Sequence, residues 1–191
     1  MARYFAFLYV DDVVVSKLLT SAIVILNPRT KWPAHVTVAG PFDSLRNVPR
    51  KREYYRHALI TGVGRFRSDT QNTVYLRVGT HDLRKISSKP DYDYNPHITL
   101  YDGKNDDIGD ELYFKLYPRF PFMKFHVSKL EIVKSGSTQS NMDTLLNYID
   151  DSFFKRAGVN PVDTDQLDVT DRVDLAIRAV DEAILESRKT A

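Results

Sequence analysis

The sequence predicts an α+β fold, with strands and few helices over the first 135 residues and a helical stretch after them. Short runs of β-branched and aromatic residues, bounded by Gly, Pro, Asn and Asp, recur between Arg3 and Val133. Apolar residues fall at helical spacing near the start, at Val15, Leu18, Ala22 and Ile25. They do so again near the end, at Val173, Ile177, Val180 and Ile184. The 191 residues are 42% hydrophobic and 27% charged, an ordinary globular mix large enough to bury a core.

In chain order, Arg3–Val10 reads as a strand, and Asp11 and Asp12 can cap the helix that follows. Asn27-Pro28 ends that helix. A loop through Trp32-Pro33 leads to a second strand, His35–Ala39, closed by Gly40-Pro41. Ser44–Arg56 is polar and basic, with helical character near Tyr54-Tyr55. Strands are expected over His57–Phe66 and Thr73–Val78, then a short helix over His81–Ser87 and a strand over His97–Tyr101. Asp102–Asp110 is rich in turn residues. Further strands are expected near Leu112–Leu116 and Phe125–Val133. Leu145, Ile149 and Phe153 suggest an amphipathic helix, and a polar stretch from about Gly158 to Asp168 precedes the last one. The expected division is a domain over 1–135 and a helical appendage over 136–191 packed on it.

The chain has no cysteine, which removes thiolate ligands, Cys nucleophiles and disulfides. This fits a reducing cytoplasm. No segment approaches the roughly 18 to 20 apolar residues of a membrane span, so no membrane is expected among its partners. Met1–Val10 is short, is ended by Asp11-Asp12 and lacks a basic leader, so it is expected to be a strand and not a signal peptide. A net charge of +2 does not by itself indicate nucleic-acid binding.

Two segments repeat a pattern: Trp32-Pro33-Ala34-His35-Val36-Thr37-Val38 and Tyr94-Asn95-Pro96-His97-Ile98-Thr99-Leu100. Strand alternation places His35 with Thr37, and His97 with Thr99, on a face opposite their apolar neighbours. Histidine exchanges protons near neutrality, so two of them flanking a phosphodiester can serve as base and acid. Threonine hydroxyls can hold non-bridging phosphate oxygens and stabilise charge in the transition state. Such a site needs no metal and no cofactor, and the sequence has no His-Glu-x-x-His spacing.

These two His-x-Thr motifs resemble those of the two-histidine (2H) phosphoesterase superfamily. That superfamily includes RNA 2′,5′-ligase-like proteins, cyclic phosphodiesterases and 2′,5′-oligoadenylate phosphodiesterases. The supporting context is the first strand Tyr4–Leu8, Gly40-Pro41-Phe42, Gly62–Phe66 before Val74–Val78, and Leu130–Ser135, so the likeness spans roughly residues 3–135. The resemblance implies a bilobal pair of antiparallel sheets with outer helices, related by a pseudo-twofold. It also implies hydrolysis or reversible formation of 2′-linked or cyclic phosphates, with His35, Thr37, His97 and Thr99 as the catalytic set. Which histidine is acid and which is base stays open.

Trp32, Phe42, Tyr94 and Tyr101 flank the motifs and could stack a nucleobase or simply pack the walls. Tyr101 shares the expected strand face of Thr99, and Phe7 is a further candidate. Arg46, Arg50, Lys51, Arg52 and Arg56 could follow a nucleic-acid backbone, although a solvated basic loop is commoner. His57, His81 and His126 lack motif context and read as structural or surface residues. The stripe on the last helix most simply packs within the chain; a homodimer through it is the alternative. The leading expectation is therefore a metal-independent phosphodiesterase hydrolysing 2′,3′-cyclic or 2′,5′-linked nucleotide or RNA phosphodiesters. The alternatives are a non-catalytic nucleotide or RNA-end binding module using the same cleft, and an appendage that recruits a protein partner.

Overall fold

A computed structural model describes residues 3–28, 30, 32–47, 53–79, 95–104, 106–134 and 145–189, with backbone alone at 47 and 53–56. The strands are β1 (Tyr4–Tyr9), β2 (His35–Phe42), β3 (Glu53–Ser68), β4 (Gln71–Gly79), β5 (His97–Gly103) and β6 (Met123–Lys134). The helices are α1 (Val13–Leu26), α2 (Asp106–Leu116), α3 (Asp151–Ala157) and α4 (Val169–Ser187). The α+β class expected from the sequence holds. All strand pairs are antiparallel, and they close in the order β1-β2-β5-β4-β3-β6. Two separate sheets were expected; the hydrogen bonding instead makes one ring with two three-stranded halves, β6-β1-β2 and β3-β4-β5.

Asp12 caps α1 by accepting from the Val15 amide at 3.0 Å. Every residue of α1 from Leu18 to Leu26 is buried, because strands cover one side and α4 the other. α4 buries Val173, Ile177 and Val180 in the core shared with the strands, so this stripe is taken up within the chain. Two hydroxyls inside α1 serve as anchors. The Ser21 hydroxyl donates to the Lys17 carbonyl at 2.8 Å and accepts the Asp150 amide at 2.9 Å. Asp150 in turn caps α3 through the Phe153 amide at 2.7 Å.

Several expectations are corrected. Leu112–Leu116 belongs to α2 and not to a strand. Asp106 and Asp107 favour the helix N-terminus, and Ile108, Leu112 and Leu116 recur every four residues on its buried face. The backbone at Tyr54-Tyr55 is strand, since β3 extends from Glu53 to pair with β6. Leu145, Ile149 and Phe153 are all buried, yet they span a 3₁₀ turn and α3 because Asp150 is extended between them. β2 runs past Gly40-Pro41, which is a cis peptide, to Phe42. Gly40 has φ of 124° and faces the Tyr4 carbonyl, a place no side chain fits. The helix expected over 81–87 lies outside the described residues. His57 and His126 are exposed and paired across β3 and β6.

Candidate active site

The first motif is held from beneath by α1. The Thr20 hydroxyl donates to the Ser16 carbonyl at 2.7 Å and accepts the Ala34 amide at 2.9 Å, fixing the residue before His35. His35 Nδ1 then lies 2.8 Å from the Pro33 carbonyl. A carbonyl only accepts, so Nδ1 carries the proton and the neutral ring keeps its Nε2 lone pair. The imidazole stacks on Phe7 with centroids 3.8 Å apart, and Trp32 meets the same Phe7 edge-on at 6.0 Å.

The second motif repeats this construction. His97 Nδ1 lies 2.7 Å from the Asn95 carbonyl, so it too donates from Nδ1 and leaves Nε2 unprotonated. The Asn95 side-chain amide donates to the Tyr75 hydroxyl at 3.1 Å. Tyr75 lies 5.0 Å from the His97 ring and stacks on Phe66 at 4.8 Å. Its ring lies over Gly64, where any Cβ would collide with it.

Register extends the likeness. Phe7 on β1 faces Thr37 on β2, and Tyr75 on β4 faces Thr99 on β5. Tyr9 faces His35, and Arg77 faces His97. The halves meet along β3 and β6, and on the other side where Thr37 pairs with His97 across β2 and β5. Directly opposed residues in an antiparallel pair have Cα atoms about 4.5–5.5 Å apart. The four motif residues are all half-buried, while Val36, Val38, Ile98 and Leu100 between and beyond them are buried.

Burial sets the electrostatics. Desolvation lowers His35 to about 4, against the Pro33 hydrogen bond, and the nearby His97 charge lowers it further. Desolvation also lowers His97; its hydrogen bond to Asn95 and the charge of Asp102 act in the opposite sense. The two rings therefore differ, with His97 the one favoured for protonation. Burial and Glu131, which accepts its hydrogen bond, push the Tyr9 phenol up to about 12.

A cavity of about 860 Å³ opens beside the motifs and is bordered by His35 and Thr99. Trp32, Tyr101, Leu26, Asn27, Val162, Asp165 and Arg172 also line it. Asn27 acts as a strand-like clamp on β5. Its amide donates to the Leu100 carbonyl at 2.6 Å and accepts the Asp102 amide at 3.0 Å, one bond on each side of Tyr101.

The expected aromatic residues divide. Trp32 and Tyr101 border the cavity, and Phe7 supports His35 from below. Tyr101 was expected to share the face of Thr99 by simple alternation. A bulge in the β4–β5 register instead pairs Thr99 with Tyr75 and Tyr101 with Val74. Leu100 and Tyr101 are consequently both buried, with Tyr101 4% exposed. Phe42 lies in the apolar core at 1% exposure and does not border the cavity, because it shares the even-numbered face of Val36 and Val38. Tyr94 lies outside the described residues, as do Arg50, Lys51 and Arg52, His81 and the Arg56 side chain; Arg46 is exposed.

Sequence reasoning missed Asn27, Tyr75, Arg77, Asp165 and Arg172. Tyr75 and Arg77 were within reach of strand alternation once β4 was aligned with β5. Asp165 and Arg172 carry no local signal. Among the described residues, no group of three or more His, Cys, Asp or Glu side chains is placed to hold a metal ion. No helix among them is long and apolar enough to cross a membrane.

The family model described as the 2'-5' RNA ligase superfamily matches residues 25–139, a span that contains both motifs. No curated protein matches the chain.

Proposed function

The chain belongs to the 2'-5' RNA ligase superfamily, and from that premise we propose that it is a metal-independent phosphodiesterase of 2′,3′-cyclic or 2′,5′-linked nucleotide or RNA phosphodiesters. Membership supports phosphoesterase-type chemistry on RNA or nucleotide phosphodiesters. The observation that carries the finer reading is the matched pair of imidazoles. Each donates from Nδ1 to a backbone carbonyl and keeps Nε2 for the substrate.

In the proposed turnover of a cyclic ester, neutral His35 takes a proton through Nε2 from the attacking water. The water oxygen bonds to phosphorus as the bond to one ribose oxygen breaks. His97, protonated with the help of Asp102, gives its Nε2 proton to that leaving oxygen. Thr37 and Thr99 donate to the non-bridging oxygens, and Arg77 stands opposite His97 to offset their charge. Two imidazoles thus supply both proton transfers, and the hydroxyls and guanidinium hold the phosphate without further help. Run in reverse, the same steps join a 2′-hydroxyl to a phosphate.

The test is turnover of 2′,3′-cyclic nucleotides, 2′,5′-oligoadenylate and cyclic dinucleotides in excess EDTA, with product position read by phosphorus NMR. The expected result is hydrolysis of at least one 2′-linked or cyclic ester, undiminished by the chelator. Activity that vanishes in EDTA and returns with a divalent cation would overturn the metal-independent mechanism.

A further inference from the structure

The cavity beside the motifs is lined in part by residues outside the span shared with the family, and those residues have the chemistry of a base-reading wall. We infer that the C-terminal segment builds the nucleobase subsite, with Asp165 and Arg172 reading the edge of a guanine whose phosphate lies at His35 and Thr99. This rests on the phosphodiesterase reading of that same site.

Arg172 is fixed before any ligand arrives. Its Nε donates to the Ile25 carbonyl at 2.7 Å and its Nη2 to the Leu26 carbonyl at 3.1 Å. These are carbonyls at the C-terminal end of α1, where a cation is also favoured by the helix dipole. Nη1 makes no hydrogen bond among the described residues and is left for the cavity that Arg172 borders. Asp165 lies on the 3₁₀ turn Pro161–Gln166, which is seated by the fully buried Thr164 and packs on α1. Its carboxylate has no hydrogen-bond partner among the described residues. It is near enough to Arg172 for the two charges to act on one another.

A ligand in this cavity also meets Trp32 and Tyr101, and the aliphatic Leu26 and Val162. Flat and apolar walls with two convergent polar groups suit a nucleobase, and about 860 Å³ admits a nucleotide. The pairing of charges selects the base. Guanine presents N1–H and the exocyclic amine together, which one carboxylate can accept, beside an O6 that a guanidinium can donate to. Adenine offers a lone pair at N1, which would face the carboxylate.

The experiment compares kcat/KM for guanosine and adenosine 2′,3′-cyclic phosphates in the wild type, Asp165→Asn and Asp163→Asn; both carboxylates are exposed on the same turn, and only that of Asp165 belongs to a residue lining the cavity. The wild type should prefer guanosine by about tenfold or more, the order expected of one bidentate base contact. Asp165→Asn should reduce that ratio to about threefold or less, and Asp163→Asn should preserve it. A wild-type ratio near one, or a ratio unchanged in Asp165→Asn, would overturn the assignment. Equilibrium binding of guanosine and adenosine 2′-phosphates separates the subsite from the chemistry. Tighter guanosine binding that Asp165→Asn removes upholds the subsite even if no ester is turned over. Equal binding of the two refutes it even if both esters are hydrolysed.

Discussion

Thr37 of the first motif stands directly opposite His97 of the second, across the junction of β2 and β5. One of the two seams of the ring therefore runs through the motifs, and in the proposed mechanism each threonine donates to a phosphate held between the imidazoles. Replacing Thr37 or Thr99 by Val should lower kcat by about 10²–10³, the usual loss for one transition-state hydrogen-bond donor. KM should change far less, and Thr→Ser should recover most of the rate. Wild-type kcat in both Val variants, measured on a cyclic nucleotide, would remove the threonines from the mechanism.

The pH dependence of kcat/KM follows from the lowered histidines. His35 must be neutral to act as base, so activity rises with pH through about 4. His97 must be protonated to act as acid, and its pKa lies below the ordinary 6.5, so activity falls again before that value. The profile should be a bell with both limbs below 6.5. Asp102 raises His97, so Asp102→Asn should move the alkaline limb to lower pH and leave the acid limb in place. An alkaline limb that stays put in Asp102→Asn argues against His97 as the acid.

Gly64 holds Tyr75 against the second histidine by offering no side chain beneath its ring. Gly64→Ala should destabilise the fold by about 1–3 kcal/mol through overpacking. Calorimetry should show this as a fall of about 2–4 °C for each kcal/mol in a chain of this size. Turnover should fall as well, since Tyr75 is forced away from its hydrogen bond with Asn95. A wild-type Tm together with full activity would contradict this account of the support under His97.

The motif was legible because strand alternation is local: four residues in two His-x-Thr steps define their own faces. The capped start of α1 and the apolar stripe of α4 were legible for the same reason. Other features depend on partners distant in sequence. Leu112–Leu116 carries apolar and aromatic residues that suit a strand, and only its packing on β4 and α4 as Ile108-Leu112-Leu116 favours the helix. Tyr101 was displaced from simple alternation by a bulge, and Asn27 bonds on both sides of it. Asp165 and Arg172 reach the cavity through the seating of the C-terminal helices on α1, where two carbonyls lock Arg172. Nothing in their own neighbourhood of the sequence signals a site.

The most direct measurement is the hydrolysis rate of a 2′,3′-cyclic nucleotide in EDTA by His35→Ala and His97→Ala, each first shown by circular dichroism and thermal melting to be folded. Each substitution should lower kcat by about 10²–10⁴, the contribution of one positioned acid or base, with the double variant little worse than either. A rate within tenfold of wild type in either folded variant would contradict this mechanism.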